Sequence, residues 1–137
     1  MTAFVDSSMW FASVFARDRH NQRAKAILAS KEAFVTTDAV VVETWLLLAR
    51  RFQYMAAERF WAGIRKSAVA IETVLPPDYD AAWQIGVVFA HQKFSIVDRT
   101  SFVVMQRLGL SRVASFDDDF AIYRYGRNRD RAFEVLR

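Results

Sequence analysis

The stretch TAFVDSS, Thr2 to Ser8, decides the fold. Its first four residues run apolar or β-branched without alternation, and they end at a carboxylate, Asp6. A strand with no polar face has both faces covered, which is how strands of a parallel sheet read. Working outward, the same unit recurs. Helices are expected from about Ser8 to Arg17 and from about Asn21 to Ser30, and a second short strand over Ala33–Thr36. Asp38 reads as the N-cap of a long helix, Ala39 to Phe52. Ala56–Ser67 is helical in pattern, Val69–Val74 is strand-like, and Pro76 and Pro77 punctuate it. Asp78–Gln92 and Ile96–Leu108 read as two more helices, with Gly109 where a left-handed C-terminal cap belongs. Arg112–Ser115 is a fourth strand, followed by the acidic turn Asp117-Asp118-Asp119, and Ala132–Leu136 is a candidate edge strand. Strands alternating with helices imply an α/β/α sandwich around a central, mainly parallel sheet of four to five strands.

Bulk properties fit one domain over residues 1–137, 53% hydrophobic and 15% aromatic. There is no cysteine, which removes disulfides and thiolate metal sites. The N-terminal MTAFVDSSMW does not read as a secretory leader, and Glu43 interrupts the most apolar tract, Ala39–Ala49. A soluble, cytoplasmic protein is expected.

The topology gathers acids. In a parallel sheet, ligands sit at the carboxyl ends of the strands. Asp6 closes the first strand, and Asp117 lies two residues beyond the fourth. Crossover helices run antiparallel to the strands, so their N-termini reach the same edge. Those helices bring Glu43, in AVVVETWLLLA, and Asp98. Two carboxylates ~6 Å apart at an effective dielectric of ~20 repel by about 3 kcal/mol, more than helix N-termini offset. Either some of the four are protonated or a cation is bound. An all-oxygen donor set selects Mg²⁺ or Mn²⁺.

The segments FVDSS, VVVETWLLLARR, SIVDRTSF and ASFDDDF carry these acids in the order Asp6, Glu43, Asp98, Asp117. In that order, and over essentially the whole chain, the sequence resembles the PIN-domain family and its VapC-type toxins. The resemblance implies a metal-dependent endoribonuclease that cuts RNA phosphodiesters, a homodimer, and an antitoxin partner. It implies Asp6 and Asp98 as the most direct metal ligands, with Glu43 and Asp117 completing the site directly or through water. Asp119 is the alternative to Asp117. Ser7, Ser101 and Ser115 match positions where the family carries hydroxyls that orient carboxylates or water.

No histidine is needed as base, and His20 and His91 read as ordinary surface or capping residues. The tryptophans Trp10, Trp45, Trp61 and Trp83 read mostly as core, some of them as groove lining for an antitoxin segment. The formal charge is +4; setting four of the 15 acids aside leaves 11 against 19 basic residues, a balance suited to RNA. Arg124, Arg127, Arg129, Arg131 and Arg137 follow closely on the acidic turn and are candidates for backbone contact. A non-catalytic RNA- or protein-binding PIN module is the competing reading, disfavoured by four intact acids. A haloacid-dehalogenase-like phosphatase would need Asp-x-Asp after the first strand, where Asp6 is followed by two serines. A receiver lacks its late-strand lysine, and dinucleotide or P-loop binding lacks its glycines.

Overall fold

The computed structural model describes residues 1–137. Five strands, β1 (Thr2–Val5), β2 (Ala33–Thr37), β3 (Ala70–Glu72), β4 (Arg112–Ala114) and β5 (Glu134–Leu136), form one sheet in the order β3-β2-β1-β4-β5. Every pairing is parallel. β1 lies at the centre because it is the most apolar strand: Phe4 pairs with Val35 on one side and Val113 on the other, and Ala3 to Val5 are fully buried. The candidate edge strand is confirmed at the β4 side.

Seven helices flank the sheet: α1 (Ser7–Val14), α2 (Asn21–Leu28), α3 (Asp38–Arg51), α4 (Tyr54–Lys66), α5 (Pro76–Val88), α6 (Ile96–Arg107) and the short α7 (Asp119–Ile122). Leu48 of α3 and Phe102 and Met105 of α6 close over the sheet as part of one continuous core. The chain winds β1-β2-β3 to one side, then returns to place β4 and β5 on the other. The crevice at the carboxyl ends of β1 and β4 is therefore the topological switch point.

Several boundaries differ from the sequence-based expectation, each for a local reason. α1 stops at Val14, short of Arg17, because Asn21 donates its amide to the Ala12 and Ser13 carbonyls (2.7 and 3.3 Å) and turns the chain. Thr37 caps α3, its hydroxyl accepting from the Val40 N–H (3.1 Å). Asp38 instead ties the helix start to the sheet side by accepting from the Val74 N–H (3.0 Å). The expected Asp78–Gln92 helix breaks at Val88 into a 3₁₀ turn, Ala90–Gln92, that ends on left-handed Lys93 (φ 54°). Gly109 takes its left-handed cap position (φ 69°). Trp61 and Trp83 are not core: they stand 50% and 68% exposed.

Candidate active site

A cleft of about 870 Å³ opens at the switch point, between the N-terminal part of α1, the length of α3 and the start of α6. Asp6 anchors it from behind. Its N–H continues the β1–β4 ladder to the Ala114 carbonyl (3.1 Å), while its side chain caps α1. Oδ2 accepts from the hydroxyls of Ser8 (2.8 Å) and Ser115 (2.9 Å); Oδ1 has only a long contact from Ser7 (3.4 Å). Burial at 1% exposure pushes this carboxyl above its ordinary value, the hydroxyls pull it back, and the Asp117 charge pushes it up again.

Ser7 links Asp6 to α3, donating its hydroxyl to Oε1 of Glu43. Partial burial raises the Glu43 carboxyl, Ser7 opposes the shift, and the charges of Asp6 and Asp117 add to it. Asp98 is the third residue of α6. The Ser95 hydroxyl caps its N–H (3.0 Å), which leaves the carboxylate to face the other acids. Burial, then the charges of Asp6 and Asp117, then contact with Asp119, push the Asp98 carboxyl up to about 8. Past β4, Ser115 and Asp117 build the acidic turn: Asp117 N–H donates to Ser115 Oγ and Asp119 N–H to Asp117 Oδ1, both at 2.9 Å. The Asp119 carboxyl is also raised, chiefly by burial.

Asp98, Asp117 and Asp119 each bring one carboxylate oxygen within 4.8 Å of the others. None of the five acids has a cationic partner. The chain's ion pairs lie elsewhere, at Arg107 with Glu72 and Asp78, Arg112 with Glu32 and Glu134, and Arg137 with Asp118. Neighbouring carboxylates with raised proton affinity, oxygen donors only and no guanidinium or ammonium among them fit a hard divalent cation.

The four sequence-predicted acids thus meet at one end of the cleft. Glu43, Asp98 and Asp117 line it. Asp117 and its alternative Asp119 both bring a carboxylate oxygen within 4.8 Å of Asp98. Of the three serines, Ser7 and Ser115 hold acids, but Ser101 bonds back to the Val97 carbonyl (2.8 Å). Sequence reasoning passed over Ser8, whose hydroxyl accepts from the Phe116 N–H (2.9 Å) and so splints β4 to Asp6.

The arginine-rich tail does not line the cleft. Arg124 binds the carbonyls that end α7, Arg129 lies over Phe89, and Arg131 lies over Tyr125. Arg137 pairs with exposed Asp118, the residue after Asp117 (2.8 Å). Two other arginines, Arg50 and Arg51, do line it.

A family model for the PIN domain matches residues 3–125. The chain belongs to the PIN-domain family. Within it, the chain is similar to VapC-type toxins. The chain is 38% identical over 119 residues to a Mycobacterium tuberculosis protein named 23S rRNA-specific endonuclease VapC20, covering 86% of this chain and 91% of that one. The crystal structure of that organism's VapC20, described as a sarcin–ricin-loop-cleaving toxin, matches with a TM-score of 0.84 at 35% identity, over 89% and 94% of the two chains. FitAcB from Neisseria gonorrhoeae shares the fold at a TM-score of 0.67 and 18% identity, covering 100% of this chain and 97% of that one.

Proposed function

We propose that this PIN-domain chain is a Mg²⁺- or Mn²⁺-dependent endoribonuclease and the toxin of a VapBC-type toxin–antitoxin pair. The observation that carries the reading is the trio Asp98, Asp117 and Asp119, with oxygens within 4.8 Å and no cationic partner. These residues, with Asp6 through Oδ1, would hold the ion, and Glu43 at the wall would complete the site through water. Bound there, a divalent ion would supply Lewis-acid stabilisation of charge on the phosphate oxygens and a more acidic water. Glu43 Oε2, the oxygen that Ser7 leaves free, takes the proton of the attacking water. Water oxygen bonds to phosphorus and the P–O bond to the leaving nucleotide breaks. Arg50 and Arg51, exposed, without ion pairs and two turns along α3 from Glu43, receive the RNA backbone roughly 10 Å away.

The relative's substrate makes large-subunit ribosomal RNA the first to try. The groove of about 510 Å³ between Trp45, Trp61, Leu46 and Ile71 suits an apolar antitoxin helix. Tyr79, Trp83 and Val87, exposed at i, i+4 and i+8 of α5, offer a face for a second copy. No helix is long and apolar enough to cross a membrane; an RNA substrate would put the site of action in the cytoplasm.

The deciding experiment incubates purified protein with ribosomal RNA in Mg²⁺, in Mn²⁺ and in EDTA, with Asp98→Asn as control. Discrete cuts that need both metal and Asp98 are expected. Intact RNA in every condition would return the chain to the class of non-catalytic binding modules.

A further inference from the structure

His20 is one of two histidines in the chain, and the mechanism does not use it. Its place is specific. The ring lies flat on Phe116, with centroids 4.2 Å apart and planes 9° from parallel. Both rings border the acid-lined cleft. Phe116 is the residue before Asp117, and its N–H is fixed to Ser8 Oγ, so the stack is tied to the same hydroxyl that holds Asp6. On the other side, Asp18 accepts from the His20 N–H (2.8 Å), and Asn21 pins the following turn to α1. Arg19 donates Nε–H to His20 Nε2 (3.1 Å), which sets a guanidinium at the edge of the imidazole. No other ring stacks on His20, which stays part-exposed.

We infer that the Arg19–His20–Phe116 column is a nucleobase subsite: one unpaired base of the RNA stacks on His20 beside the scissile phosphate. The inference rests on the nuclease reading above and deepens it. A flat π surface edged by a guanidinium matches a base in shape and charge. A core-filling role does not explain a part-exposed imidazole at a cleft wall. With Nε2 already accepting from Arg19, that nitrogen has no free lone pair, and His20 acts through its face. Unpaired bases are where RNA is read by stacking, and each stacked base contributes enough that its loss weakens binding about ten- to a hundredfold.

The test begins by mapping the wild-type cut in ribosomal RNA. A single-stranded or loop oligoribonucleotide spanning that cut is then titrated onto Asp98→Asn protein, with and without His20→Ala, His20→Phe and Phe116→Leu. Circular dichroism checks each fold. His20→Ala should weaken binding about ten- to a hundredfold, and His20→Phe, which keeps the stack, should restore it. Replacing bases one at a time by abasic sites should reveal a single position at which His20→Ala has no further effect. Unchanged affinity in His20→Ala overturns the subsite while the mapped cut leaves the nuclease reading standing. So does His20→Phe binding as poorly as His20→Ala. His20→Ala that spares RNA but weakens an antitoxin complex assigns the column to protein recognition instead. If the wild type makes no cut, the nuclease reading falls and the subsite with it.

Discussion

Asp78 and Asp98 occupy the same local position and do opposite things. Each is the third residue of its helix, α5 and α6, and each is buried, at 3% and 7% exposure. Burial alone raises both carboxyls. At Asp78 that rise is outweighed: Arg107 grips both oxygens (3.0 and 2.9 Å), the Leu75 N–H donates to Oδ2 (2.8 Å), and the carboxyl falls below its ordinary value. At Asp98 no cation answers, three more aspartates face it, and the carboxyl rises to about 8. One acid is a clamp between helices; the other is held ready for a partner the chain does not supply. The fold tolerates the second because the first kind of contact secures the rest.

The largest expected effect breaks the comparison at function. Asp98→Asn should lower kcat/KM on RNA by at least about a hundredfold, more than the loss typical for residues that merely orient a metal ligand, while Asp78→Asn should leave it within about threefold. Cleavage kinetics on the mapped substrate check both. Equal losses would erase the distinction.

Next comes stability. Asp78→Asn should cost about 2 kcal/mol at pH 7 by removing the buried carboxylate's charge-assisted bonds to Arg107. Because the folded pKa of Asp78 is depressed, its contribution is present above the unfolded value near 4 and is lost as pH falls through the folded one. Denaturant melts at pH 7 and near pH 2.5 should therefore diverge and then converge.

A smaller effect sharpens the contrast. Asp98 has a raised folded pKa, so between about 4 and 8 the folded chain holds a proton that the unfolded chain releases. In EDTA the wild type should lose about 1 kcal/mol or more as pH rises from 5 through 8, and Asp98→Asn should flatten that decline. Thermal melts across this range read it directly; a wild type that gains stability with pH would reverse the sign.

The architecture was legible in the short strand-like runs at Thr2–Val5, Ala33–Thr36 and Arg112–Ser115, most plainly the first, where a central strand buried on both faces leaves an uninterrupted apolar pattern. Four acids were legible because topology carries strand ends and helix starts to one edge. What escaped was pairing across sequence. Nothing near Asp78 announces Arg107, 29 residues on, and nothing near His20 announces Phe116. The tail arginines were legible only as charge for a related reason: charge density is visible in sequence, whereas the rings of Phe89 and Tyr125 beneath Arg129 and Arg131 are visible only in space. Asp119 was legible only as a substitute for Asp117, since a run of three acids does not reveal that its turn presents two of them inward.

The central claim is that the unpartnered acids around Asp98 are a divalent-cation site. Calorimetric titration of Mn²⁺ and Mg²⁺ onto wild-type, Asp78→Asn and Asp98→Asn proteins at pH 7.5 tests it without any RNA. The account predicts saturable binding to the wild type and to Asp78→Asn, and its loss or a drop of at least about tenfold in Asp98→Asn. Binding of undiminished affinity to Asp98→Asn, or none to the folded wild type, would contradict it.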